Sequence, residues 1–330
     1  MMSEEREPIL VPPHLPFAWW NTGVSPPLPP GHPLSPKRQQ AQEAHRQQAR
    51  KVIEELVIEH GCALLALAET IGEKPIAWIP DSVRQNWKAI ENPGGAERPR
   101  VDVLFDARRL ALRCHDWLVQ GGRGLLAEFT LPPAGDSDPE SLLLAAVHWS
   151  SGLYNGRRAQ DEHAKDEKAL RSRITRRIKE GRQQPHVLVA GDLNVEPFDR
   201  DGLEGLGASR SRATVRRAAA DAEKDPLFYN AAWRWLGERY AWHPARQVPS
   251  LAGTYRKVDD RHGGWYTFDQ LLVSGSLLRE HGWTLMEEGL GPFPSAHVFN
   301  SSRSKFVRPF DHLPILGHLE WHGNDEEGRR

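Results

Sequence analysis

The chain repeatedly places a short apolar run directly before a polar residue. Short runs rich in Val, Ile, Leu and aromatic side chains, bounded by turn residues, are typical of buried β-strands. The predicted strands lie at 17–20, 62–68, 101–106, 109–113, 124–131, 142–147, 187–190, 265–274 and 310–315.

Three segments have the pattern of helices. In 37–60, residues such as Ala49 and Val52 recur at helical spacing and predict one apolar face. The charged segment 157–182 and the tryptophan-rich segment 227–240 are also predicted to be helical. Helices combined with buried strands favour a layered α/β fold.

Proline and charge mark the segments outside these elements. Residues 1–16 are acidic and then proline-rich, which predicts a loose N-terminal arm. The six prolines of 24–36 remove backbone donors and predict a surface loop. We expect a single domain over 17–321 and a polar tail at 322–330.

The composition is that of a folded globular protein. Of 330 residues, 39% are hydrophobic and the formal net charge is -1. This balance argues against binding nucleic acid by bulk electrostatics alone, but leaves room for a local basic face. The isolated Cys62 and Cys114 argue against a disulfide framework and a cysteine-based zinc site. No apolar run is long enough to span a membrane, and residues 1–20 lack the pattern of a secretory signal, so we expect a cytoplasmic location.

Polar residues follow the predicted strands where these end. Because the ends of strands from one sheet can converge on a single rim, such residues are candidates for a cleft. Asp269 differs, since it lies inside a predicted strand and needs a partner if it is buried. The strand-end residues are Asn21, Glu69, His148, Asp192, Asn194, Asp311 and His312.

These side chains suit the hydrolysis of a phosphate ester, which needs a charge clamp, an activated water and help for the leaving oxygen. Glu69, after an apolar run, is the best candidate ligand for Mg²⁺ or Mn²⁺. Asp192 and Asn194 alternate along one strand end and point to the same side, so one can activate a water that the other orients. His312 can contact a phosphoryl oxygen if Asp269 orients its ring.

Each of these residues also has a purely structural interpretation. Glu69 can be a solvated strand end, and an Asp-x-Asn sequence after glycine is commonly a turn. His148 can be a half-buried histidine without a catalytic role, and the charged helix 157–182 can be a solvated face. The order of the motifs along the chain decides between the two interpretations.

That order resembles the endonuclease/exonuclease/phosphatase superfamily. The resemblance runs from about residue 17 to 320 and is strongest in the GDLN and DHLP segments. It implies a four-layer α/β/β/α sandwich with two central mixed β-sheets, helices outside and a divalent-metal site at one edge. The motifs are Trp20-Asn21, Leu67-Ala68-Glu69, Val147-His148, Gly191-Asp192-Leu193-Asn194, Phe268-Asp269-Gln270-Leu271-Leu272-Val273-Ser274 and Asp311-His312-Leu313-Pro314.

The resemblance implies metal ligands for Mg²⁺ or Mn²⁺. Glu69 resembles the metal-binding glutamate, and Asn21 resembles the asparagine next to it. Asp311 resembles the second metal ligand. The sequence departs from the pattern at Gly23, where some members carry an acid, and in the proline-rich loop 24–36.

The resemblance also implies the catalytic residues. Asp192 and Asn194 match the pair that activates and orients the nucleophile. Asp269 matches the aspartate that pairs with the terminal histidine, which here is His312. His148 matches the histidine that contacts phosphate or assists the leaving group. Two further departures, Ala146 and Gln270 in place of frequent Asn and Tyr, affect the choice of subfamily rather than the chemistry.

The sequence therefore predicts a divalent-metal-dependent phosphodiesterase that hydrolyses nucleic acid. The arginine-rich segments 157–182 and 210–217 are its predicted phosphate contacts. A phosphatase or phosphodiesterase for a small soluble or lipid-derived phosphate ester is the alternative within the same fold. A catalytically silent binding module is the third alternative, and it requires the loss of a key residue, whereas all of them are present.

Overall fold

The computed structural model of the chain describes residues 13–24, 35–70, 74–90, 101–118, 123–132, 138–150, 157–180, 184–199, 203–221, 224–238, 251–257, 264–299 and 310–323. Most of the predicted arm, proline-rich loop and tail lies outside the described residues. Among the helices in these ranges, none combines the length and apolar character needed to cross a bilayer.

Strands dominate the described part of the chain, and two helices, α1 and α3, are long. The strands are β1 His14–Asn21, β2 Leu64–Ala68, β3 Trp87–Ala89, β4 Val101–Asp106, β5 Ala111–Trp117, β6 Gly124–Thr130, β7 Ser141–His148, β8 His186–Asp192, β9 Ala208–Ser209, β10 Phe228–Asn230, β11 Tyr255–Arg256, β12 Trp265–Tyr266, β13 Asp269–Ser274, β14 Gly282–Pro292 and β15 Ile315–His322. The α-helices are α1 Pro36–Glu54, α2 Asp81–Arg84, α3 Arg157–Glu180, α4 Arg212–Ala219 and α5 Ala296–Phe299. A π-helical turn at Glu55–Glu59 extends α1, and 3₁₀ turns lie at Pro75–Trp78, Ala231–Trp235 and Gly275–Leu278.

Two mixed sheets contain most of the strands. The first is six-stranded, in the order β14-β15-β1-β2-β4-β3, and the second is seven-stranded, in the order β5-β6-β7-β8-β13-β10-β9. The pairs β1–β2 and β7–β8 are parallel, whereas β8–β13 is antiparallel. β11 and β12 form a separate two-stranded ribbon.

The two sheets pack face to face, and long helices cover their outer faces. Along β8, Leu188 belongs to the core between the sheets and Val189 to the core under α3. Along β1, Trp19 faces the core between the sheets and Trp20 the core under α1. Both faces of these strands are buried, which is why their sequences are continuous apolar runs. The architecture is the four-layer α/β/β/α sandwich that the resemblance implied.

The structure corrects one predicted element and several boundaries. The segment 227–240 was expected to be a helix, but it contains β10 and a 3₁₀ turn, because β10 pairs with the distant β13. Four strands differ from their predicted bounds. β1 starts at His14, inside the predicted arm, and the strand predicted at 109–113 spans Ala111–Trp117. The strand predicted at 265–274 is split into β12 and β13, and the last strand starts at Ile315.

Candidate active site

Strand register places five of the predicted residues at the same end of the sandwich, where neighbouring strands of both sheets begin or end. Asn21 ends β1, and Glu69 follows the parallel strand β2. In the second sheet, His148 pairs with Asp192 across β7 and β8, and Asp269 pairs with Asp192 across β8 and β13. The predicted rim is therefore formed jointly by the two sheets rather than by one.

Asn21 links the two sheets through its side-chain amide. Its Nδ2 donates to Oδ2 of Asp192 at 3.0 Å and to Oε1 of Glu69 at 3.4 Å. Its Oδ1 accepts from the backbone N–H of Gly23 at 3.2 Å. Because an amide nitrogen carries two hydrogens, a single asparagine can hold both carboxylates. The geometry makes Asn21 a donor to the carboxylates, and its place beside a metal stays a prediction.

His312 and Asp269 form a buried ion pair. Nδ1 of His312 is 2.6 Å from Oδ2 of Asp269, whose Oδ1 accepts from the Trp19 indole N–H at 2.8 Å. The backbone N–H of Asp269 donates to the Thr254 hydroxyl at 2.9 Å. Burial lowers the pKa of His312, but the carboxylates around it, Asp269 foremost, outweigh burial and raise this pKa to about 10. The imidazole is therefore protonated at neutral pH.

Asp192 is buried at the centre of the cluster. Burial raises its pKa to about 7, although the nearby His312 and the hydrogen bond from Asn21 act to lower it. Its Oδ2 is 3.9 Å from Nε2 of His312, and its Oδ1 accepts from the backbone N–H of Asn194 at 3.0 Å. A carboxyl group with a pKa near neutrality can accept a proton from water at physiological pH.

Glu69 lies at the open side of the cluster. Its side chain is 32% exposed, against 3% for Asp192, and Nε2 of His148 lies 3.5 Å from Glu69 Oε1 and 3.8 Å from Asp192 Oδ2. The backbone of Glu69 is left-handed, with φ 55°, and its carbonyl accepts from the Thr22 hydroxyl at 3.0 Å. Such a conformation costs a non-glycine residue about 1–3 kcal/mol, so the fold holds Glu69 in place at the expense of stability.

The GDLN segment is shaped by its neighbours on and after β7. A Cβ atom on Gly191 would lie 2.3 Å from the carbonyl oxygen of Val147, so no larger residue fits there. Asn194 adopts φ 51° and donates from Nδ2 to the Trp149 carbonyl at 2.9 Å. These contacts fix the turn after β8, and the role of Asn194 in orienting a water stays a prediction.

Asp311 lies beside the turn that follows β1. Its Oδ1 is 3.1 Å from the position that a Cβ on Gly23 would take, and Gly23 has φ 57°. Its carbonyl accepts from the backbone N–H of Arg256 at 2.6 Å. A side chain at position 23 would crowd the Asp311 carboxylate in a strained conformation, which explains why glycine stands here.

The side chains at this edge fit a hard divalent cation. Among the described residues, Asp192, Asp269 and His312 offer ligand atoms that all lie within 4.8 Å of one another. The short contact between His312 and Asp269 occupies the facing atoms of that pair, so the open side near Glu69 is the better place for an ion. Mg²⁺ takes one or two protein carboxylates and keeps several waters. Glu69 and Asp311, the carboxylates that the resemblance assigns to the metal, stay the predicted ligands.

Sequence reasoning missed three residues that support the site, namely Trp19, Thr22 and Thr254. The sequence does give a reason to consider Trp19. A buried indole N–H needs a hydrogen-bond acceptor, and Trp19 lies two residues before the candidate site residue Asn21. The two threonines carried none, because their hydroxyls bond to residues far away in the sequence.

Comparisons with known proteins find this fold in solved structures. No family model and no curated protein matches the sequence. The structure is similar to the human Nocturnin catalytic domain with bound sulfate (13% identity, TM-score 0.50, covering 94% of this chain and 96% of that one). It is also similar to D. rerio TDP2 complexed with a single-strand DNA product (14%, 0.51, 93% and 99%).

A third similar structure is an endonuclease/exonuclease/phosphatase family protein from Bacteroides thetaiotaomicron (14% identity, TM-score 0.53, covering 94% of this chain and 99% of that one). These matches span nearly the whole chain, as the resemblance of the motifs does. The chain has the fold of the endonuclease/exonuclease/phosphatase superfamily.

Proposed function

We propose that this chain is a divalent-metal-dependent phosphodiesterase that hydrolyses phosphodiester bonds of nucleic acid. One observation carries the proposal: at one edge of the sandwich, Asp192 lies between Asn21 and a protonated His312 that Asp269 holds at 2.6 Å. This arrangement places a base for water beside a positive charge for phosphoryl oxygens.

Each side chain has a defined task in the proposed reaction. Asp192 takes a proton from the attacking water, while His312 donates to a phosphoryl oxygen and stabilises the charge that develops there. His148 contacts the phosphate or assists departure of the alcohol. A cation held by Glu69 and Asp311 would neutralise negative charge on the phosphate.

Aromatic residues beside His312 support nucleic acid as the substrate. The Tyr255 ring lies 4.7 Å from the His312 ring and 5.3 Å from Phe268, and Tyr266 stacks on Phe268 at 5.0 Å. All three are partly exposed, and aromatic faces of this kind stack on unpaired bases. The similar D. rerio TDP2 structure holds a single-strand DNA product, and we propose the same class of substrate here.

Arg256 and Lys257 follow Tyr255 in the chain, and both side chains are exposed. We propose them as phosphate contacts in addition to the segments 157–182 and 210–217. In α3, Arg177 forms an ion pair with Asp116 at 2.6 Å, which neutralises part of the positive charge of that helix.

The segment 210–217 lies away from the candidate site. Arg216 lines a cavity together with His186, which starts β8, whereas Asp192 ends that strand. At about 3.3 Å per residue, the two ends are about 20 Å apart. The arginines of 210–217 would therefore contact only a nucleic acid long enough to extend from the candidate site to the other end of β8.

A small phosphate ester is the second candidate substrate. It is favoured by the ion pairs that already engage Arg177, Arg212 and Arg216 within the protein. The end of the sandwich that contains Asp192 and His312 is called the catalytic edge. The proposed reaction there requires only a phosphoryl group and a leaving alcohol in the substrate, so either class of substrate meets this requirement.

A substrate panel with and without chelator tests the proposal. Single-stranded DNA, duplex DNA, RNA, inositol phosphates and methyl para-nitrophenyl phosphate are incubated with Mg²⁺ or Mn²⁺, and again with EDTA. We expect cleavage of a nucleic acid that EDTA abolishes. Turnover of inositol phosphates alone would support the second candidate, and a folded protein that cleaves none of them would indicate a silent binding module.

A further inference from the structure

A second histidine–carboxylate pair, formed by a buried histidine and a partly exposed glutamate, lies at the opposite end of β8 from Asp192. His186 starts this strand, and its Nε2 is 2.7 Å from Oε2 of Glu140, which precedes β7. The His186 side chain is only 7% exposed, while that of Glu140 is 35% exposed. The hydrogen bond from His186 lowers the pKa of Glu140, and burial opposes this effect only in part, so Glu140 is a carboxylate at neutral pH.

The other nitrogen of His186 faces a serine hydroxyl. Ser276 Oγ is 3.0 Å from Nδ1, and Ser274 Oγ is 2.8 Å from Ser276 Oγ. Ser274 Oγ accepts from the backbone N–H of Val187 at 2.9 Å. One order of donors satisfies every group: Ser274 donates to Ser276, Ser276 to Nδ1, and Nε2–H to Glu140. In this order of donors, Nδ1 of His186 accepts the hydrogen bond from Ser276.

This relay opens into a cavity of about 440 Å³ whose wall carries both arginine and glutamate side chains. Ser276 is half-buried at that wall, and Arg279 is exposed there. Arg216 in the same wall lies 3.8 Å from the Glu280 carboxylate. The charged side chains of the wall are Arg216 and Arg279 together with Glu140 and Glu280, so Arg279 is the arginine that no glutamate of the wall pairs with at ion-pair distance among the described residues.

We propose that this cavity is a second active site, in which Ser276 is a nucleophile toward a carboxylic ester that carries an anionic group. His186 is its base, and Glu140 is a positioning residue that fixes the tautomer and the orientation of the ring. Arg279 supplies charge for the anionic group of the ester.

The reaction has two steps. In the first, Ser276 Oγ bonds to the ester carbonyl carbon and passes its proton to Nδ1 of His186; the carbon–oxygen bond to the alcohol breaks, and the alcohol leaves with that proton. In the second, water attacks the acyl-serine and gives a proton to Nδ1. The carboxylic acid is released, and the proton returns to Ser276 Oγ. This site shares no residue with the cluster around Asp192, so the two proposals can fail separately.

Covalent labelling with a fluorescent fluorophosphonate tests the nucleophile. We expect the native protein to be labelled on the peptide that contains Ser276, identified by mass spectrometry, and Ser276→Ala to lose that label. His186→Gln should slow labelling by about 100-fold, as expected for loss of a general base. Ser274→Ala removes the donor to Ser276 but keeps the base, so it should slow labelling less than His186→Gln does. Ser82→Ala, which removes an exposed serine of α2, should label at the native rate. Heat-denatured protein that labels as fast as native protein, or Ser276→Ala that labels equally, would overturn the proposal.

Two esters with the same leaving group test the anionic specificity. Hydrolysis of mono-para-nitrophenyl succinate is compared with that of para-nitrophenyl acetate. We expect kcat/KM for the succinate to be higher by about tenfold, the equivalent of one charge-assisted hydrogen bond, and Arg279→Ala to remove this preference. Glu140→Gln should move the pH profile of hydrolysis, which a purely structural residue would leave in place. Equal rates for the two esters in the native protein would overturn the anionic assignment.

Discussion

A histidine–carboxylate pair lies beside each end of β8. The distances between nitrogen and oxygen are nearly the same in the two pairs, but their surroundings differ. His312 lies 2.6 Å from Asp269, and His186 lies 2.7 Å from Glu140. The second ring nitrogen of each histidine has a different neighbour. Nε2 of His312 is 3.9 Å from the Asp192 carboxylate, whereas Nδ1 of His186 is 3.0 Å from the Ser276 hydroxyl.

The group on the far side of the ring decides what the histidine can do. Two buried carboxylates stabilise the imidazolium of His312, so it acts as a fixed positive charge and donor. The hydroxyl of Ser276 carries no charge, and in the proposed relay it donates its hydrogen bond to Nδ1 of His186. Similar pairs thus support an electrostatic role at one end of the strand and a basic role at the other.

Removing the positive charge at His312 should have the largest effect. We expect His312→Gln to lower kcat for metal-dependent phosphodiester cleavage by about a thousandfold, because an acid and a charge stabiliser are lost together. Fluorophosphonate labelling of Ser276 in the same variant is the matched control and should be unchanged. A parallel loss at both ends would indicate a folding defect and break the comparison.

The pH dependence of cleavage should separate the two titrating groups at the catalytic edge. Asp192 works as a base only when ionised, and its pKa is raised to about 7, so the rate should rise about tenfold per pH unit below that value. His312 must stay protonated, so the rate should fall above about pH 10. A nearby cation stabilises a carboxylate, so more Mg²⁺ should move the lower midpoint to lower pH. A rate that does not change between pH 5 and 7 would contradict the role of Asp192.

The aromatic surface should affect nucleic acid but not small esters. We expect Tyr266→Ala to raise KM for single-stranded DNA by about tenfold, the equivalent of one stacked base. Tyr266→Phe keeps the ring and should bind DNA normally. Steady-state kinetics with an abasic dinucleotide, a small ester without an aromatic ring, provide the control, because nothing in that ester can stack on Tyr266. Equal effects on both substrates would place Tyr266 in the chemistry instead.

Relief of the strained backbone at Glu69 should give the smallest effect. Glycine adopts φ 55° without penalty, so Glu69→Gly should raise the free energy of unfolding by about 1 kcal/mol. The same variant should lose cleavage because the predicted metal ligand is gone. Urea denaturation of this variant and of Glu69→Ala compares the two. Glu69→Gly that is less stable than Glu69→Ala would refute the strain argument.

The buried strands and the polar residues that end them could be predicted because their signals are local. Strands buried on both faces read as continuous apolar runs, and the polar residue that ends each run, such as Asp192 or Glu69, is visible beside it. The grouping of these ends followed from the order of the motifs and the resemblance. Strand register then placed Asn21 between two carboxylates, a detail that no local pattern contains.

The features that local sequence patterns did not reveal depend on contacts that are distant in sequence. The local pattern of the tryptophan-rich segment 227–240 predicts a helix. The structure has β10 there instead, because these residues pair with the distant strand β13. That the arginines of 210–217 contact phosphate stays a prediction, but no local pattern shows that Arg212 of α4 pairs with Glu287 of β14. The relay of Glu140, His186 and Ser276 joins three segments whose individual sequences carry no motif.

The most direct test of the catalytic edge is metal-dependent cleavage by Asp192→Asn beside the native protein. The substitution keeps the size of the side chain but removes the base, and both proteins are assayed on labelled single-stranded DNA with saturating Mg²⁺. We predict that native cleavage is abolished by EDTA and that Asp192→Asn loses about a thousandfold in kcat while melting at a similar or higher temperature, because a buried carboxyl group is replaced by an amide. Cleavage by Asp192→Asn within tenfold of the native rate would contradict the proposed role of this edge.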